Sequence, residues 1–180
     1  MAGDYVVGAQ GQRIPLQRPP QAPHFTGRQP ELDWLLARLQ PGRAVTLCGP
    51  GGVGKTALAA AALWSLAPDQ SPPERFPDGI LFHSFYNQSQ AALCLEHVAR
   101  SLGEDPRPTP HEAAQRALSG RVALVVLDGA ENADDLAAVL QLCGSGGVLI
   151  TSRRRRDAQA AWTCRPCPWT RPSPSYNNGP

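Results

Sequence analysis

The sequence predicts an α/β fold, an open parallel sheet with helices on both faces. Three observations lead there. Apolar runs of strand length alternate with segments of helical period, in the order β-α-β-α-α-β-α-β. The run 122–127 is apolar without interruption, as a strand buried on both faces requires. The glycine-rich string 49–56 joins the first strand directly to the helix that follows it.

The elements follow in order. Residues 1–24 hold Pro15, Pro19, Pro20 and Pro23 and no helical period, so they are expected to form a linker-like arm. Leu32, Leu35, Leu36 and Leu39 recur at i, i+3, i+4 and i+7, predicting a helix over 30–40. Pro30 suits its first turn and Pro41-Gly42 stops it. Residues 44–48 form a short buried strand. Residues 55–67 form an alanine-rich helix ended by Pro68, and 79–86 a second strand. Helices follow over 90–102 and 111–118, then the strand 122–127, a helix over 133–142 and a fourth strand over 147–152. After Arg156 the character changes. Residues 164–180 carry five prolines, no apolar period and a tryptophan outside any patterned element. The expected division is therefore an arm over 1–24, one domain over 25–156 and an irregular tail over 157–180.

The 180 residues suffice for one domain of ordinary size. A formal net charge of +2 gives no reason to expect a nucleic-acid partner. No apolar run reaches the roughly 18–20 residues that span a bilayer, and no secretion signal opens the chain. Cys48, Cys94 and Cys143 lie in apolar contexts and read as buried free thiols. These features together predict a soluble, cytoplasmic protein without a membrane partner.

Lys55 is the only lysine among 17 basic residues. It sits in Gly49-Pro50-Gly51-Gly52-Val53-Gly54-Lys55-Thr56, a complete G-x-x-x-x-G-K-[ST] phosphate-binding loop between a strand and a helix. The arginine bias breaks where a compact ammonium is needed between β- and γ-phosphates, a slot too narrow for a guanidinium. Backbone N–H groups of Gly52, Gly54, Lys55 and Thr56 can wrap a phosphate, and the Thr56 hydroxyl can bind Mg²⁺. Asp128 ends the apolar run Leu124-Val125-Val126-Leu127, where a carboxylate holds the metal through water. Arg153 follows Val148-Leu149-Ile150-Thr151-Ser152 and can reach a γ-phosphate. Arg154, Arg155 and Arg156 read as a solvated basic run. Cys164-Arg165-Pro166-Cys167 has no second pair and is weak for a metal.

Phe25-Thr26-Gly27-Arg28-x-x-Glu31, the GPGGVGKT loop, VVLDGAEN and LITSR together resemble the NB-ARC-like branch of the STAND signalling ATPases, over about residues 22–156. The resemblance implies a P-loop sandwich with strand order 5-1-4-3-2 and an ATP/ADP switch with Mg²⁺ as cofactor. It implies a resting state bound to ADP and an oligomeric state bound to ATP. It places Phe25, Thr26 and Arg28 beside the nucleotide, with Lys55, Asp128 and Arg153 in catalytic roles and Thr56 and Asp128 at the metal. Gly129 stands where many relatives carry a second acid, so slow or absent hydrolysis is expected; Glu131 is a substitute acid or a helix cap. The fifth strand and the helical lid have no counterpart in the sequence, so an incomplete sheet with residues 44–48 at its edge is expected. A reading one base earlier of 166–174 allows Leu-Pro-Leu-Asp-Gln-Ala-Val-Ala, which resembles a helix start of this class. A reading-frame slip between Arg156 and Cys164 is the corresponding expectation. The alternatives are a non-catalytic remnant or interaction module of a larger regulator, and, disfavoured by the Gly-Arg motif, a small-molecule kinase.

Overall fold

The computed structural model describes residues 5–7, 13–22, 25–154 and 160–163, the last four for their backbone. Two short strands, β1 (Tyr5–Val7) and β2 (Arg13–Pro15), pair antiparallel. Then come α1 (Gln29–Arg38), β3 (Ala44–Cys48), α2 (Lys55–Leu66), β4 (Ile80–Ser84), α3 (Ala91–Ser101) and α4 (Pro110–Leu118). Next are β5 (Leu124–Asp128), a 3₁₀ turn Ala130–Asn132, α5 (Leu136–Leu142), β6 (Gly147–Ser152) and β7 (Ala160–Thr163).

The main sheet is parallel, with order β4-β5-β6-β3-β7. The fold is the predicted α/β P-loop type. Alternation along each strand splits the core. On β5, Leu124 and Val126 pack with α1 and α2, while Val125 and Leu127 pack with α3, α4 and α5. Helix α2 buries Leu58 and Leu63 completely, each contributing roughly 1.5–3 kcal/mol. This fixes the position of the loop that precedes it.

Three expectations need correction. The first is the missing fifth strand. β7 pairs in register with β3, Val45 opposite Ala160 through Cys48 opposite Thr163, so residues 44–48 are interior to the sheet. The irregular composition after Arg156 hid it, because four small or β-compatible residues suffice to satisfy one strand edge. Residues 164–180, where the expected frame slip has its effect, lie outside the described residues.

The second correction is the arm. Residues 13–20 are packed onto the domain. Ile14 and Leu16 are buried, Leu16 bridges to Ile80, and the Gln17 N–H donates to the Ile80 carbonyl at 2.9 Å. The buried Gln17 side chain donates to Ser101 Oγ at 3.0 Å and accepts from the Phe82 N–H at 3.0 Å and from His97 at 2.9 Å. Beside it, burial lowers the pKa of His83 below its usual 6.5. Further on, the Arg18 guanidinium lies 3.8 Å from the Trp64 ring centroid, and Trp64 donates to the Pro19 carbonyl at 3.0 Å. The arm thus covers the β4 edge, a common way to protect an edge strand.

The third concerns the helix over 133–142. Asp135 caps its true start, accepting from the Ala138 N–H at 3.0 Å, and Asp134 turns away to accept from the Ala91 N–H at 2.7 Å. The strand expected from Val122 starts at Leu124 for a related reason: the Val122 N–H is taken by the Asp78 carboxylate at 2.7 Å.

Candidate functional site

The site lies at the C-terminal tips of β3, β5 and β6, where open α/β sheets carry their ligand crevice. The loop 49–54 leaves β3 and enters α2 through Gly54, whose φ of 84° is left-handed. No side chain caps α2, so its first N–H groups face the loop interior. Lys55 is 6 % exposed, and its ammonium donates to the Gly49 and Pro50 carbonyls at 2.8 Å each. Two of its three protons are thus held by the loop itself.

Asp128 is buried at the end of β5. Its Oδ1 accepts from the Thr56 hydroxyl at 2.8 Å and from the Thr151 hydroxyl at 2.6 Å. Thr151 Oγ1 in turn accepts from the Gly129 N–H at 2.9 Å. A buried carboxylate touching a loop hydroxyl suits Mg²⁺, which keeps most of its waters and takes few protein ligands. No cluster of three or more His, Cys, Asp or Glu able to hold a metal exists among the described residues.

Glu131 projects from the 3₁₀ turn after β5. Its carboxylate accepts from the Arg153 backbone N–H at 3.0 Å and pairs with Arg153 Nε at 3.2 Å. The Tyr86 hydroxyl lies 3.5 Å from the same carboxylate. Burial, then the nearby Glu131 and Asp128 charges, raise the Tyr86 phenol pKa above its usual 10.0. The Arg153 guanidinium passes beside Gly51; a methyl there would sit 3.7 Å from its Cζ. The Tyr86 ring occupies the space beside Gly129, where an added Cβ would meet it at 2.7 Å. Gly129 itself has φ 68°, in the left-handed region that favours glycine.

Arg28 is buried against the loop. Its Nη1 donates to the Val53 carbonyl at 3.0 Å, its Nε pairs with Glu31 at 3.5 Å, and its Nη2 is buried without a hydrogen-bond partner. Phe25 packs into the α1–α2 core, and Thr26 is exposed. Of the residues expected at the site, Lys55, Thr56, Asp128, Arg153 and Arg28 converge on the loop, while Phe25 faces the core beside it. Thr151 and Tyr86 were not expected. The parallel register, which sets Leu127 opposite Ile150, places Thr151 next to Asp128 and would have identified it. Tyr86 lies two residues past its strand and left no sequence signal.

The profile of the AAA ATPase domain matches residues 24–150. Proteins of Mycobacterium bovis and Mycobacterium tuberculosis named as HTH-type transcriptional regulators are 31% identical over 126 residues, covering 66% of this chain and 13% of theirs. The chain therefore spans about an eighth of the length of those relatives. The Aeropyrum pernix ORC1 protein, solved in complex with DNA, aligns with TM-score 0.56 at 18% identity, covering 83% of this chain and 47% of that one. The ADP form of the Aeropyrum pernix ORC2 protein aligns with TM-score 0.53 at 16% identity, covering 82% and 50%. At these identities the structures share the fold. No helix among the described residues is long and apolar enough to cross a membrane.

Proposed function

Since the chain belongs to the AAA ATPase domain family, we propose that it is the nucleotide-binding domain of a STAND-type, NB-ARC-like ATP/ADP switch. The observation that carries this reading is the meeting of Thr56, Thr151 and Asp128 within 2.6–2.8 Å, beside a lysine held at the loop mouth. In this reading the N–H groups of the loop and the Lys55 ammonium hold the β- and γ-phosphates. Thr56 and Asp128 hold Mg²⁺, which would neutralise phosphate charge when bound. Thr151 keeps the Asp128 carboxylate turned toward Thr56. Arg28 braces the loop through the Val53 carbonyl, and its buried Nη2 is left without a hydrogen-bond partner, available to the nucleotide.

The switch reading is favoured by the Phe25-Thr26-Gly27-Arg28 motif ahead of the loop and by the strand order β7-β3-β6-β5-β4, which is 5-1-4-3-2. Gly129 supports slow or absent hydrolysis, because it places no carboxylate directly after Asp128. The same feature favours the second reading, a non-catalytic nucleotide-binding module of a larger regulator.

A switch that rests on ADP retains it. Protein purified without added nucleotide and then heat-denatured is expected to release ADP at close to one per chain, read by ion-exchange chromatography of the supernatant. A nucleotide-free preparation that takes up neither ADP nor ATP would overturn the reading.

A further inference from the structure

We infer that Glu131 is a specificity-determining residue: it holds Arg153 in an ion pair that the third phosphate of a nucleoside triphosphate must displace, and so sets the preference between ATP and ADP. This rests on the nucleotide reading above and goes further, because it gives Glu131 a role opposed to that of Arg153.

The geometry carries the inference. Arg153 has one face toward Gly51 of the phosphate loop and its Nε toward Glu131 at 3.2 Å. The two partners differ in exposure. The Glu131 side chain is 8% exposed and the Arg153 side chain 58%. The carboxylate is therefore the fixed partner. It is anchored from below by the Arg153 backbone N–H at 3.0 Å and flanked by the Tyr86 hydroxyl at 3.5 Å. The guanidinium is the movable one, solvated on its outer side and hinged at the end of β6. A diphosphate ends at the loop and leaves the pair intact. A triphosphate extends toward Arg153 and competes with Glu131 for it, since phosphate and carboxylate are alternative partners for one guanidinium fork. ATP binding therefore separates an ion pair that ADP binding does not. The separated Glu131 carries its negative charge at the same mouth.

The test uses the full chain, with Mg·ATP and Mg·ADP as probes. In Glu131→Gln the amide oxygen still accepts from the Arg153 N–H, so the loop stays anchored while the charge is lost. Its ATP affinity is expected to rise about fivefold, with ADP affinity unchanged within twofold, the size of a partly exposed ion pair. In Arg153→Ala the ATP/ADP ratio falls. The double variant decides the cause. If Glu131 acts by holding Arg153, Glu131→Gln changes nothing in the Arg153→Ala background. An equal gain in both backgrounds would show plain charge repulsion of the γ-phosphate and overturn the inference. An unchanged ratio in Glu131→Gln would overturn it as well. If the wild-type chain binds neither probe, the nucleotide reading falls and takes the inference with it; wild-type ADP binding separates the two failures.

Discussion

Lys55→Ala is expected to weaken ATP and ADP binding by roughly 100-fold or more, as expected for loss of a largely buried, charge-assisted contact. Lys55 is the only lysine in the chain, it is 6 % exposed, and its ammonium is already positioned by the Gly49 and Pro50 carbonyls. Arg28 and Arg153, the arginines described beside the loop, each have another partner, the Val53 carbonyl for Arg28 and Glu131 for Arg153. Lys55→Arg is expected to fail nearly as badly, because a planar guanidinium does not fit between the two carbonyls and the phosphates. Calorimetric titration of both variants checks this, with circular dichroism to confirm that α2 still forms. Affinities within threefold of wild type would sink the phosphate-loop assignment.

Gly79→Ala is expected to give the largest loss of stability, about 3 kcal/mol or more, lowering the melting temperature by roughly 6–12 °C. Two terms add. Gly79 has φ 96°, where any Cβ is strained. An added Cβ would also sit 2.0 Å from the Pro15 carbonyl oxygen and 2.8 Å from Ile14 Cγ2. Neither side can yield easily. The Gly79 carbonyl accepts from the Leu124 N–H at 2.9 Å, and the arm is bound two residues on by Gln17 to Ile80. Relief requires the arm to lift from the β4 edge, which would expose residues 13–18 to protease. A melting temperature within 2 °C of wild type, with unchanged proteolysis, would show that the arm is not part of the domain.

The sheet was largely legible in the sequence because its strands are short apolar runs with one environment each. The strands over 44–48 and 147–152 coincide with β3 and β6. Segment starts set by side-chain competition were not legible. Asp135 caps α5 through the Ala138 N–H and Asp78 takes the Val122 N–H, so α5 and β5 begin three and two residues later than the apolar pattern suggests. Proline content describes local chain stiffness and does not report how the arm packs. Gln17 makes its contacts with Phe82, His97 and Ser101, more than sixty residues away in sequence. Within the site, motif spacing pointed to Lys55, Thr56, Asp128 and Arg153, which the fold brings together around the loop. What it could not supply was the relation among them. Glu131 reads as either an acid or a cap until its carboxylate is placed beside Arg153. Nothing at Gly129 in the sequence shows that the Tyr86 ring lies against it.

Lys55, Thr56 and Asp128 are expected to hold a magnesium–nucleotide complex. Equilibrium dialysis of radiolabelled ATP against the wild-type chain, with Mg²⁺ and again with EDTA, measures this directly. The expected result is one saturable site per chain with a Kd of about 10 μM or tighter, weakened at least about tenfold when Mg²⁺ is chelated. No saturable binding at millimolar ATP, or the same affinity with and without Mg²⁺, would contradict it.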